Sequence, residues 1–136
     1  MDILQNMASI IQKEAEAIQG IQVTADFEKA VLTLQACAGK VVTTGIGKAG
    51  YIAQKFAATL SSTGTPAVFI HPAEAGHGDL GVLNRQDCIV AFSTSGKSTE
   101  VIEMLEISRH LGVDNVIGIT SHTDSKLRDL SQIILD

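Results

Sequence analysis

Tryptophan is absent from this 136-residue chain, tyrosine occurs once and phenylalanine four times. With so few aromatics and no cluster of lysine or arginine, base stacking and phosphate neutralisation both lack their usual side chains. Nucleic acid is therefore not expected as the main partner. Basic residues number 10 against 15 acidic ones, a net charge of −5. An anionic ligand must then be drawn by a local site against the charge of the whole chain. Proline occurs only twice while 45% of residues are hydrophobic, which excludes a disordered chain. No apolar run approaches the ~18 residues that read as a membrane span. The start, Met1-Asp2-Ile3-Leu4-Gln5, lacks the basic residues and apolar block of a signal peptide. A cytoplasmic protein with no membrane partner is expected. Cysteine occurs twice, at Cys37 and Cys88, far apart and each in an apolar stretch. Buried free thiols fit that placement better than a disulfide or a metal pair.

What the chain does contain is a regular alternation of helical and extended patterns. In residues 1–19, Ile3, Met7, Ile10, Ile11 and Ile18 recur at helical spacing with Lys13, Glu14 and Glu16 between them. A second helix is expected from about Asp26 to Ala38, ended by Gly39. These two helices, residues 1–38, either cap one side of a sheet or form a dimerisation arm. Residues 39–136 form the sheet core, with strands expected at 40–44, 67–70, 88–92, 116–120 and 133–135. Helices are expected at 48–61, from the loop at 93–98 to Leu111, and at 125–130. A glycine-containing loop spans His71–Gly81. Strands alternating with helices imply a parallel sheet with right-handed crossovers and helices on both faces. The expected class is α/β, a flavodoxin-like three-layer α/β/α sandwich with a five-stranded parallel sheet in the order 2-1-3-4-5. In that order strands 1 and 3 adjoin at the switch point. The loops that follow them, Gly45–Gly50 and Ser93–Ser98, then face each other outside the carboxyl ends of the strands.

Those two loops carry chemistry. Ser93-Thr94-Ser95-Gly96-Lys97-Ser98-Thr99 places five hydroxyls, a glycine and a lysine between a buried strand and a helix start. A helix start offers unpaired N–H groups and a positive dipole end, so the loop suits an anion such as phosphate. The plainer alternative is a polar turn with Ser98 as N-cap. Gly45-x-Gly47-x-x-Gly50 has the form of a dinucleotide fingerprint, but strand 2 ends in Ile70-His71 without the acidic residue such sites use. It is either a turn that permits tight packing or a backbone surface close to a small ligand. Lys48 at a helix start opposes the dipole, which an anionic partner would explain. The segment His71–Gly81 holds two histidines, two carboxylates and three glycines. His71 and His77 lack compact metal-ligand spacing, and an acid–base or sugar-hydroxyl role suits a histidine there better than a metal. Asp79 reads as a turn residue. Glu100, in the first turn of the following helix, complements the dipole or serves as a general base.

Taken together, Gly45-Ile-Gly-Lys-Ala-Gly50, Ser62-Thr-Gly-Thr-Pro66, the whole His71–Gly81 segment and Ser93-Thr-Ser-Gly96 resemble the sugar isomerase (SIS) domain, most closely the arabinose-5-phosphate isomerase type. The resemblance covers roughly residues 25–136. It implies interconversion of D-ribulose 5-phosphate and D-arabinose 5-phosphate through an enediol, feeding synthesis of the lipopolysaccharide sugar Kdo, with no organic cofactor. By motif match it implies that Ser93, Thr94, Ser95 and Ser98, with Gly47 nearby, hold the phosphate. Lys48 would bind or polarise the substrate, Glu100 would be an acid–base group, and His77 would line the sugar site. SIS domains typically pair or form tetramers, so a homo-oligomer is expected. Lys97 stands where many relatives have glutamate and Ala49 where many have serine. Relatives also continue past the position of Asp136 into a further helical segment, and many add paired CBS domains. A single, C-terminally short SIS domain without CBS domains is thus the expected organisation. Two other functions compete: a non-catalytic sugar-phosphate-binding module, and a dinucleotide-binding domain resting on Gly45–Gly50 alone.

Overall fold

The structure, a computed structural model, describes residues 2–136. Asp2 accepts the Leu4 and Gln5 N–H groups at 3.0 and 3.2 Å and so starts α1, Ile3–Gln19. Met1, included in the expected helix, lies outside the described residues. Thr24 caps α2, Ala25–Gln35. This helix ends three residues earlier than its apolar stripe suggests, because Gly39 N–H is drawn to the Gln86 carbonyl at 3.0 Å and the chain must turn to reach it. Then follow β1 (Val41–Thr44), α3 (Lys48–Ser62) and β2 (Ala67–Phe69). Next come α4 (Pro72–Ala75), β3 (Cys88–Phe92), α5 (Thr99–His110), β4 (Asn115–Ile119), α6 (Lys126–Asp129) and β5 (Ile133–Leu135).

The five strands form one all-parallel sheet in the order β2-β1-β3-β4-β5, parallel as the alternation predicts and in the expected flavodoxin-like order. The central strands β1, β3 and β4 are buried on both faces over most of their length, which is why they read as continuous runs, while Val68 of the edge strand β2 is exposed. Val42, Ile89 and Ala91 point into one core layer with Val101, Met104 and Leu105 of α5 and Leu127 of α6. Val41, Cys88 and Val90 point to the other, with Ala30 of α2 and Phe56 and Leu60 of α3. Burial pushes the Cys88 thiol up to about 12, with Cys37 and Asp87 nearby adding to the rise, so it is an inert core thiol.

Three expectations change. The two N-terminal helices do not act together. The second lies against β5, whereas α1 buries no residue, and its Ile3, Leu4, Met7, Ile10, Ile11 and Ile18 are each more than half exposed. The segment His71–Gly81 is not a loop but α4 followed by a 3₁₀ turn at Asp79–Val82. His71 Nδ1 accepts the Ala73 N–H at 3.2 Å and Pro72 pre-sets the first helical φ. Ala75 and Leu80 then enter the core beside α5, and their burial holds the segment folded. Third, β4 begins at Asn115 and stops before Thr120, whose hydroxyl turns away to the Thr94 carbonyl.

Candidate functional site

β1 and β3 are neighbours in the sheet, so the loops at their carboxyl ends open side by side. After β3, Ser93 continues the ladder with its N–H on the Ile119 carbonyl at 3.0 Å. Its Oγ takes the Gly96 N–H and pairs with Ser98 Oγ, both at 3.1 Å. Ser98 occupies the N-cap position of α5, but no side-chain cap bond forms; its hydroxyl is committed to Ser93 instead. Ser95 Oγ takes the Lys97 N–H at 3.1 Å. The loop thus closes on itself and leaves the first-turn N–H groups of α5 without intrahelical partners. Across from it, Gly45 and Gly50 pack so closely that a Cβ on Gly50 would lie 2.7 Å from the Gly45 carbonyl oxygen. Two of the three glycines of the fingerprint are therefore explained by packing. Gly47 caps α3 at φ 61°, next to Lys48, which is exposed and makes no ion pair among the described residues.

Lys48, Ser93, Thr94, Ser95 and Ser98 line one pocket of about 380 Å³ with Ile46, Ala49 and His122. A second recess of about 270 Å³ shares Ala49, Ser93 and Thr94 and extends over Ile52, Phe92 and Ile119. A larger recess, about 520 Å³, lies between α1, α2 and the C-terminal strand and contains none of these loop residues. The pocket between the loops is the chemical candidate because it combines a cation, hydroxyls and a helix start. Glu100 and His77 lie outside its lining. His77, expected to line the sugar site, is exposed in the turn after α4, carried there by the burial of Ala75 and Leu80. Glu100 is half-buried in the first turn of α5. Among the described residues no three His, Cys, Asp or Glu side chains gather as metal ligands would.

His122 is the lining residue that reading the sequence missed. Four donors converge on the Thr94 carbonyl: Thr120 Oγ1 and His122 Nδ1 at 3.0 Å, and Ser121 N and Oγ at 3.2 and 3.3 Å. The loop after β4 thereby grips the serine loop. Its signal was present in the sequence, since Thr120-Ser121-His122 is another polar run following a buried parallel strand.

A family model of the SIS domain matches residues 35–136. The Pseudomonas aeruginosa protein named arabinose 5-phosphate isomerase KdsD is 38% identical over 100% of this chain, and its namesake from Francisella tularensis is 39% identical over 98%. In both cases the chain spans 42% of the relative's length. A Bacteroides fragilis protein assigned to the phosphosugar isomerases superposes with a TM-score of 0.95 at 41% identity, covering 99% of this chain and 73% of its own. An Escherichia coli protein solved in complex with arabinose 5-phosphate gives 0.90 at 33% identity, covering 100% and 74%. No helix among the described residues is long and apolar enough to cross a membrane.

Proposed function

We propose that this chain, which belongs to the SIS domain family, is a sugar-phosphate isomerase domain that interconverts D-ribulose 5-phosphate and D-arabinose 5-phosphate. The observation that carries the reading is the single pocket in which Lys48 meets Ser93, Thr94, Ser95 and Ser98. The names of relatives at 38% and 39% identity support this choice of substrate, as does the arabinose 5-phosphate complex of a structural neighbour. The serine-loop hydroxyls and the α5 N–H groups receive the phosphate, held against a net charge of −5 by local donors. Lys48 attracts the substrate or polarises its carbonyl. A base moves one proton between C1 and C2 while the carbonyl oxygen is protonated, giving an enediol that collapses to the other isomer. Glu100 and His77 are the acid–base groups of this reading. They act from outside the pocket lining of one chain, and a homo-oligomer, supported by the uncovered apolar residues of α1, could place such groups against a neighbour's pocket. The reading further places this SIS domain in the cytoplasm, in the supply of Kdo for lipopolysaccharide.

The position of Glu100 and His77 outside the lining favours a second reading, a non-catalytic sugar-phosphate-binding SIS module such as a sensor. Turnover separates the two. NMR of the chain mixed with ribulose 5-phosphate should show arabinose 5-phosphate, and Lys48→Ala should lower its rate roughly 10²-fold or more, as loss of a charge-stabilising donor does. Shift changes on binding without any product would select the binding module. For the cradle itself, Ser95→Ala with Ser98→Ala should weaken sugar-phosphate binding by about 10²-fold, since two bonds to a charged group are lost. Unchanged affinity by calorimetry in a folded double variant would remove the phosphate from this loop.

A further inference from the structure

We infer that His122 reads a hydroxyl of the sugar and so sets specificity in this pocket, an inference that rests on the sugar-phosphate reading above. The Thr94 carbonyl can only accept, so its 3.0 Å bond to His122 Nδ1 puts a proton on Nδ1. The His122 backbone N–H is held by Thr120 Oγ1 at 3.1 Å. Ring and backbone are thus both anchored to the loops that shape the site. Nε2 has no hydrogen-bond partner among the described residues, and the residue lines the pocket with Lys48, Ser95 and Ser98. In the neutral ring Nε2 presents a lone pair.

The rest of the polar side-chain lining is Lys48, the Thr94 hydroxyl, which donates as well as accepts and has no hydrogen-bond partner among the described residues, and three serine hydroxyls already engaged. Lys48 only donates, Ser93 and Ser98 pair with each other, and Ser95 is bonded to the Lys97 N–H. Phosphate oxygens need donors, which are abundant here. A sugar hydroxyl also brings a proton that needs an acceptor, and His122 Nε2 is the lining side-chain atom that accepts without donating. The ring therefore favours a polyhydroxylated phosphate over inorganic phosphate. It contacts the ligand but moves no proton in the isomerisation.

Asparagine separates the two ring nitrogens, because its amide N–H reaches the place of Nδ1 and stops short of Nε2. His122→Asn should keep the bond to Thr94 and the wild-type Tm. It should bind ribulose 5-phosphate about tenfold more weakly and inorganic phosphate within about twofold of wild type, both read by calorimetry. Equal loss for the two probes would make His122 a phosphate ligand or a loop support, and no loss for either would take it out of the site; both results overturn the inference. A wild-type chain that binds neither probe would instead remove the sugar-phosphate site, and this role with it.

Discussion

Asp87→Ala is expected to cost about 3 kcal/mol of stability and to lower Tm by about 10 °C. Asp87 is fully buried just before β3, and its carboxylate is shared among three donors. Lys40 gives its N–H to Oδ1 at 2.9 Å and its ammonium to Oδ2 at 2.7 Å, and Asn84 gives its N–H to Oδ2 at 2.9 Å. Together with the bond from Cys88 N–H to the Lys40 carbonyl, these contacts tie the starts of β1 and β3, whose far ends carry the two ligand loops. Alanine leaves two backbone donors without partners and the Lys40 ammonium with the Val82 carbonyl alone. The Lys40 side chain keeps about a quarter of its surface in water, so its charge is partly resolvated, which places the cost at the low end for a broken buried pair. Burial alone would raise the Asp87 carboxyl, but the Lys40 and Asn84 donors outweigh it and hold it below the ordinary 3.8. Between that value and the lower native one, the unfolded chain binds the extra proton. The stability contributed by Asp87 is therefore whole above 3.8 and is lost as pH falls through the native value. Calorimetry across an acid series should show this loss in the wild type and not in the variant. A Tm drop under about 3 °C would show that Asp87 does not hold the two strands in register.

Gly96→Ala should abolish sugar-phosphate binding and destabilise the chain by several kcal/mol, for two separable reasons. Gly96 has φ +65°, a conformation that costs an L-residue about 1–2 kcal/mol. Its Cβ would also lie 1.8 Å from Ser125 Oγ and 2.5 Å from Ser125 Cβ, so either the serine loop or the start of α6 must move. The Ser125 hydroxyl is itself buried with no hydrogen-bond partner among the described residues. Removing that side chain in Gly96→Ala/Ser125→Gly relieves the overlap with Ser125 and leaves the dihedral cost and a tight 3.2 Å approach to Thr120 Oγ1. The double variant should thus recover most of the stability lost by the single one. Equal losses in single and double variants, read by urea titration, would show that overlap with Ser125 is not what Gly96 avoids.

The two sites differ in how they could be read. Gly96 in a hydroxyl-rich turn declares itself in sequence, because a glycine between a buried strand and a helix start has few other uses. Asp87 does not: nothing local distinguishes it from the exposed aspartates, and its partner Lys40 lies 47 residues earlier. The apolar run at 88–92 coincides with β3, since a strand buried on both faces has no polar alternation to blur its ends, and the short run at 133–135 coincides with the edge strand β5. The boundary of α2 moved because the Gln86 carbonyl, distant in sequence, takes the Gly39 N–H, whereas Thr120, just past β4, keeps its N–H on the Leu135 carbonyl and turns only its hydroxyl to Thr94.

Sequence by itself determined the βα alternation, and with it the parallel order β2-β1-β3-β4-β5 and the facing of the loops after β1 and β3. Local periodicity gives the alternation and hence a parallel sheet, while the order and the facing loops follow once the flavodoxin-like pattern is taken. Tertiary structure alone decided that α1 stays uncovered while α2 docks, that His71–Gly81 folds into helical turns, and that His122 enters the pocket while His77 and Glu100 stay outside its lining. Each of these depends on which distant side chains and carbonyls meet across the packed layers, and that information is spread over the whole chain rather than held in any one stretch of it.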